Sequence, residues 1–243
     1  RTTAVPEGDH YLIEGEKIFI TSGDHDLASN IVHAVLARTP DAPEGTRGLS
    51  LFIVPKFRSD EAGNLGEANG VKALRIEEKM GIHGSPTCVM GYGQDSPCHG
   101  YLLGELGGGM RQMFQMMNEA RILVGTGAAT LALTGYQYSL DYAKERPQGR
   151  LASCKDPVSP MVNIIEHADV RRMLLAQKAY AEGGYALCLY GTQLADDEST
   201  APTQQEREQA HLILDFLTPI IKSWPSEYGP KANSLAIQVL GGA

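Results

Sequence analysis

Asn118 and Arg121 stand three positions apart, so a continuous helix would set both polar side chains on one face, as a ligand-facing pair or as a plain capping pair. Arg146 precedes Pro147 at the end of a long helical pattern, where the helix dipole favours a cation in any case. Phe19-Ile20-Thr21 brings an aromatic ring and a hydroxyl to the end of a β-rich run; taken alone they read as ordinary barrel residues. Gly241-Gly242 follows a helical stretch and by itself reads as a helix C-cap. Cys88, Cys98, Cys154 and Cys188 are scattered without Cys-x-x-Cys spacing, which leaves zinc or thioredoxin-like chemistry unsupported and points to buried thiols in a reducing compartment. The methionine-rich stretch 110–117 reads as core, and His33 and His83 receive no catalytic role.

The elements that must position these residues change character along the chain. Up to about residue 100, short β-rich runs alternate with turn residues. His10–Ile13 and Lys17–Thr21, separated by Glu14-Gly15, predict a hairpin. The runs 31–37 and 49–54 follow, and the polar, Gly/Asn-rich stretch 58–70 reads as a surface excursion between strands. Beyond Gly107-Gly108-Gly109 the apolar residues recur at helical spacing: 121–146 up to Pro147, then a loop over 149–160, then about 167–195. Two further stretches, 206–223 and 228–240, are expected as separate helices divided by Trp224-Pro225, with Pro219 kinking the first. The fold class is therefore α+β: an antiparallel β-barrel-like domain over 1–105 followed by an α-helical bundle over 106–243.

Composition narrows the function classes. Apolar residues make up 42% and charged residues 21%, ordinary for a soluble globular protein, and no apolar run approaches the length of a membrane span. The opening residues lack the regions of a signal peptide and begin without Met, which suggests an internal piece of a longer, cytoplasmic chain. With 29 acids against 21 bases, dispersed rather than striped, nucleic acid is a poor candidate partner.

Seven segments, in order across nearly the whole chain, carry a resemblance. They are Lys17–Gly23, Leu36–Thr39, Gly48–Lys56, Lys79–Thr87, Met117–Arg121, Tyr142–Arg150 and Gln238–Gly242. Together they resemble the acyl-CoA dehydrogenase family, and Gly23-Asp24-His25-Asp26, the 58–70 excursion and Gln148-Gly149-Arg150 resemble its larger bacterial branch, which includes 3-methylmercaptopropionyl-CoA dehydrogenases. The resemblance implies a middle β domain and a C-terminal helical bundle, both incomplete. It also implies FAD as cofactor, an acyl-CoA substrate, an electron-transfer flavoprotein as acceptor, and a homodimer or homotetramer.

The same resemblance assigns roles. Phe19, where many relatives have Trp, would cover one flavin face, with Ile20 and Thr21 at the N5/O4 edge, because the protein must hold and tune the ring. Arg146 would reach the FAD pyrophosphate of a neighbouring subunit, a planar fork of donors suiting phosphate oxygens. Gln238, Gly241 and Gly242 would approach the cofactor across that interface. Gly149 stands where many relatives have an aromatic residue, and Ala168 where they have Gln. Asn118 and Arg121 would lie beside the phosphopantetheine arm and the reacting end of the substrate. The implied activity is α,β-dehydrogenation of an acyl-CoA to the trans-2-enoyl-CoA, as in fatty-acid β-oxidation. Of the two places where the family keeps its catalytic Glu, the one just before Arg121 is here Ala120, and the other is a Glu-Gly-Thr segment downstream of the Gly-Gly run. The piece is therefore expected to hold no base and to be inactive by itself. The alternatives are a DNA-binding alkylation-response flavoprotein of the same fold, or an assembly partner whose flavin site has decayed.

Overall fold

A computed structural model describes residues 1–60 and 62–242, so Glu61 in the 58–70 excursion and the terminal Ala243 lie outside the described residues. The chain divides into two compact units, Arg1–Gln115 and Met116–Ala243.

Among the described residues the first unit holds nine strands: β1 (Thr3–Glu7), β2 (His10–Thr21), β3 (Val32–Arg38), β4 (Leu49–Pro55), β5 (Phe57–Ser59), β6 (Leu65–Ala68), β7 (Val71–Ile76), β8 (Thr87–Tyr92) and β9 (His99–Leu103). β1, β3, β4, β9 and β2 pair in that order, and β1 also pairs with β2, which closes a five-stranded barrel; β8 and β7 extend it from the far half of β2. All pairings are antiparallel except β1 with β3, which meet in parallel at Thr3 and Arg38. Alternation drives the closure: His33, Val35 and Ala37 of β3 turn inward and meet Ala4, Ile13, Phe52, Val54, Met90 and Tyr92.

One expectation is corrected here and one is refined. The hairpin turn is not at Glu14-Gly15, because β2 runs unbroken for 12 residues. Gly15 has φ 141°, and a Cβ on it would stand 2.8 Å from the Cα of Thr2, so this glycine lets two backbones meet within a strand. The hairpin is β1–β2 instead, turned by Gly8-Asp9 between the paired residues Glu7 and His10, with Gly8 at φ 62°. The 58–70 excursion, in turn, contains the small β5–β6 hairpin.

Three long helices follow: α1 (Gly109–Glu145), α2 (Ala168–Thr200) and α3 (Gln204–Leu240). α1 starts well before residue 121; a Cβ on Gly109 would stand 2.6 Å from the carbonyl carbon of Ser50, so only glycine can open the helix there. The expected break in the last stretch is absent, since α3 carries Pro219, Pro225 and Pro230 inside 37 continuous residues. Burial outweighs the lost hydrogen bonds: Ala210, Leu214, Ile221, Ala232 and Val239 of α3 pack in cores shared with α1 and α2. Thr203 and Glu206 form a capping box that starts α3 just after α2 ends.

Candidate functional site

In the first unit, the candidate residues lie on a distorted end of β2. The β2–β8 ladder slips between Lys17 and Ile20, and Phe19 falls in the bulge with φ 59°. The residue is 69% exposed, unusual for a phenylalanine on a strand. Ile20 turns its side chain to the barrel core, so it offers a ligand only backbone. Thr21 is exposed and pairs with Thr87, and Ser22, also at positive φ (52°), donates its N–H to the Pro86 carbonyl at 2.7 Å.

Sequence reasoning gave no role to the polar groups that hold this strand end. Lys17 sends its ammonium to the Leu36 carbonyl at 2.7 Å, and burial lowers its pKa. Asp24 pairs with Lys56 at 2.5 Å. His33, 8% exposed, lies 3.4 Å through Nδ1 from the Tyr92 hydroxyl; burial lowers its pKa, with Asp24 opposing and Lys56 adding to the shift. Burial pushes the Cys98 thiol up to about 12, so it is an inert core group. The signal for Lys17 and His33 was present: each interrupts an alternating strand with a titratable group on its inward side.

In the second unit, α1 is continuous through Asn118 and Arg121, so the two half-buried side chains do share a face. Ala120 and Glu119 are both exposed. Arg146 follows the last residue of α1; its backbone anchors the loop by accepting from the Ile164 N–H at 2.9 Å, while its exposed guanidinium has no hydrogen-bond or ion-pair partner among the described residues. His167 caps α2 in position only, because its ring donates from Nε2 to the Gln148 carbonyl at 2.7 Å rather than to solvent. Gln238 is exposed on the last turn of α3, Gly241 is its C-cap at φ 65°, and neither Gly241 nor Gly242 has anything within 4 Å of a notional Cβ. Cys154 is exposed, against the expectation that all thiols are buried.

The first unit thus offers an exposed aromatic face beside a free hydroxyl, and the second an exposed cation at a helix end. Among the described residues no cluster of His, Cys, Asp or Glu could hold a metal ion, and no helix is long and apolar enough to cross a membrane. A small closed barrel with a two-strand extension, followed by long antiparallel-patterned helices, is the architecture of the acyl-CoA dehydrogenase fold. The Caenorhabditis elegans ACDH-11 structure, solved in complex with C11-CoA, matches all of this chain and 37% of its own length with a TM-score of 0.76 at 24% identity.

The family model "Acyl-CoA dehydrogenase, middle domain" matches residues 1–92. The 3-methylmercaptopropionyl-CoA dehydrogenase of Ruegeria pomeroyi is 45% identical across 100% of this chain and 40% of its own length. A butyryl-CoA dehydrogenase of Syntrophomonas wolfei is 47% identical across 96% of this chain and 38% of its own length. The chain belongs to the acyl-CoA dehydrogenase family, and it spans about two fifths of the length of these curated relatives.

Proposed function

We propose that this chain is the flavin-holding part of an FAD-dependent acyl-CoA dehydrogenase that converts an acyl-CoA thioester to the trans-2-enoyl-CoA. The observation that carries the reading is the bulge at Phe19: a left-handed aromatic residue with 69% of its surface exposed, next to the exposed Thr21. These groups fit a flavin, which needs an apolar cover for one face and a hydrogen-bond donor at the N5/O4 edge. The Arg146 guanidinium and the open backbone at Gly241-Gly242 fit a pyrophosphate in the same way. When bound, FAD supplies the hydride acceptor for the β-hydrogen of the substrate.

The residues of this chain would bind and orient. Phe19 covers the ring, Thr21 donates at its edge, and Asn118 and Arg121, on one face of α1, hold the polar arm and the reacting end of the acyl-CoA. The α-proton needs a carboxylate within hydrogen-bond reach. Ala120 cannot supply it, and Glu119 points about 100° away around the helix. The base is therefore assigned to a Glu elsewhere in the longer protein, downstream of Gly242. Reduced flavin would pass its electrons to an electron-transfer flavoprotein, and Arg146 with Gln238–Gly242 would complete the FAD site of a neighbouring subunit in a cytoplasmic homodimer or homotetramer.

The test is FAD affinity of the longer protein with Phe19→Ala and Thr21→Val. Each is expected to weaken FAD retention or alter the flavin spectrum. Parent-like affinity and spectrum in both would remove these residues from the site.

A further inference from the structure

The segment that would meet the flavin is held in an unfavourable backbone conformation, and the ladder to β8 is not its only support. Phe19 at φ 59° and Ser22 at φ 52° are both non-glycine residues in the left-handed region, where Cβ crowds the backbone. Two such residues within four persist only where surrounding contacts over-determine them. On one side, Ile20 and Thr21 pair with Cys88 and Thr87 of β8. On the other, the chain is pinned immediately after Ser22. A Cβ on Gly23 would stand 2.6 Å from Met90 Sδ, so the backbone is pressed onto the barrel. The next residue, Asp24, bonds Lys56 at 2.5 Å, with only 33% and 25% of the two side chains exposed.

Lys56 is a good anchor because its own corner is fixed. Its N–H donates to the Ile31 carbonyl at 2.8 Å, and the Asn30 side chain both accepts from the Phe57 N–H at 2.9 Å and donates to its carbonyl at 2.8 Å. Residues 26–29, by contrast, are exposed, so Asp24 is the last side chain tied to the barrel before a free loop.

We propose that Asp24 and Lys56 are a positioning pair: their ion pair holds the bulged Phe19–Ser22 segment in its left-handed form and so sets how Phe19 and Thr21 are presented. Neither is a catalytic residue. The flavin-dependent part of this claim rests on the function proposed above; the backbone part does not. It also accounts for the Gly-Asp pair at 23–24, which the binding roles leave unused: glycine permits the close approach, and the carboxylate locks it.

The experiment uses the longer protein with Asp24→Asn, Lys56→Gln, their double variant and the swap Asp24→Lys with Lys56→Asp. Amide hydrogen exchange at residues 20 and 22 is compared with exchange in β7. The expected result is at least tenfold faster exchange at 20 and 22 in each single variant, with β7 unchanged, no further loss in the double variant and partial recovery in the swap. In FAD-bound protein, the same variants should raise the FAD dissociation constant about tenfold and change the flavin's visible circular dichroism. Unchanged exchange at 20 and 22 would overturn the proposal, as would single-variant effects that simply add. If the parent protein binds no FAD, the proposed function fails, and the exchange measurement still decides the positioning claim.

Discussion

A Cβ on Gly125 of α1 would overlap the carbonyl oxygen of Ile221 on α3, well inside the 3.0 Å that real Cβ atoms keep. That carbonyl lacks the usual α-helical donor, because the residue four places on is Pro225, which carries no N–H. The proline opens a backbone acceptor on α3, and the glycine lets α1 close onto it. Gly125→Ala is therefore expected to destabilise the protein by about 1–3 kcal/mol through overpacking, although alanine is the better helix former. Gly127, exposed and with nothing within 4 Å, is the control: Gly127→Ala should stabilise by up to about 1 kcal/mol. Denaturant unfolding of the two variants measures both signs.

In the barrel, Asn69 is fully buried and its side chain makes three bonds: donations to the carbonyls of Pro55 and His99, and acceptance from the His99 N–H, each at 2.8 Å. Asn69→Ala strands these backbone groups without solvent. A loss of about 2–4 kcal/mol in unfolding free energy is expected, larger than for Asn64→Ala, whose bonds lie on the surface.

Much of this was legible in the sequence, and the misreadings have physical causes. The strand-to-helix switch follows from periodicity, but the helical pattern was legible only from 121, so α1 running through Asn118 and Arg121 stayed a condition, and Phe19 and Thr21 stood out only through the family motif. Gly15 was misread as a turn because a glycine that serves close approach between Thr2 and β2 looks the same, locally, as one that serves a turn. Trp224-Pro225 was misread as a break between two helices because the cost of a proline is local and visible, while the compensating burial comes from α1 and α2. The Asp24–Lys56 pair, 32 positions apart, is a tertiary fact that no local pattern announces.

His33 gives a pH dependence with a definite sign. Burial, the leading cause, holds its pKa below the ordinary 6.5; Asp24 pulls it up, Lys56 pushes it down, and the Tyr92 hydroxyl faces Nδ1. A folded pKa below the unfolded one means the stability is fully present above about pH 6.5 and is lost as pH falls toward the folded value. The unfolding free energy should therefore decline as pH falls below about 6.5, by at most about 1.4 kcal/mol per pH unit from this group. His33→Gln should flatten that decline. An equal slope in both proteins would assign it to other groups.

Arg146→Ala in the longer protein should weaken FAD binding about ten- to a hundredfold, the loss of a charge-assisted bond to phosphate, and Arg146→Lys should fall between. Sedimentation on the same samples tests the shared site: a monomer with full flavin content would contradict completion by a neighbouring subunit.

The most direct test of the central claim is an anaerobic titration of the longer protein, as purified, with straight-chain saturated acyl-CoA thioesters while the visible flavin band is followed. The account predicts bound FAD at about one per chain and bleaching of that band by at least one thioester, with the trans-2-enoyl-CoA formed in step. Residues 1–243 expressed alone should give no turnover. A colourless protein, flavin that no acyl-CoA reduces, or turnover by the 1–243 piece near the rate of the longer protein would contradict it, and the last result would make Glu119 the first residue to replace.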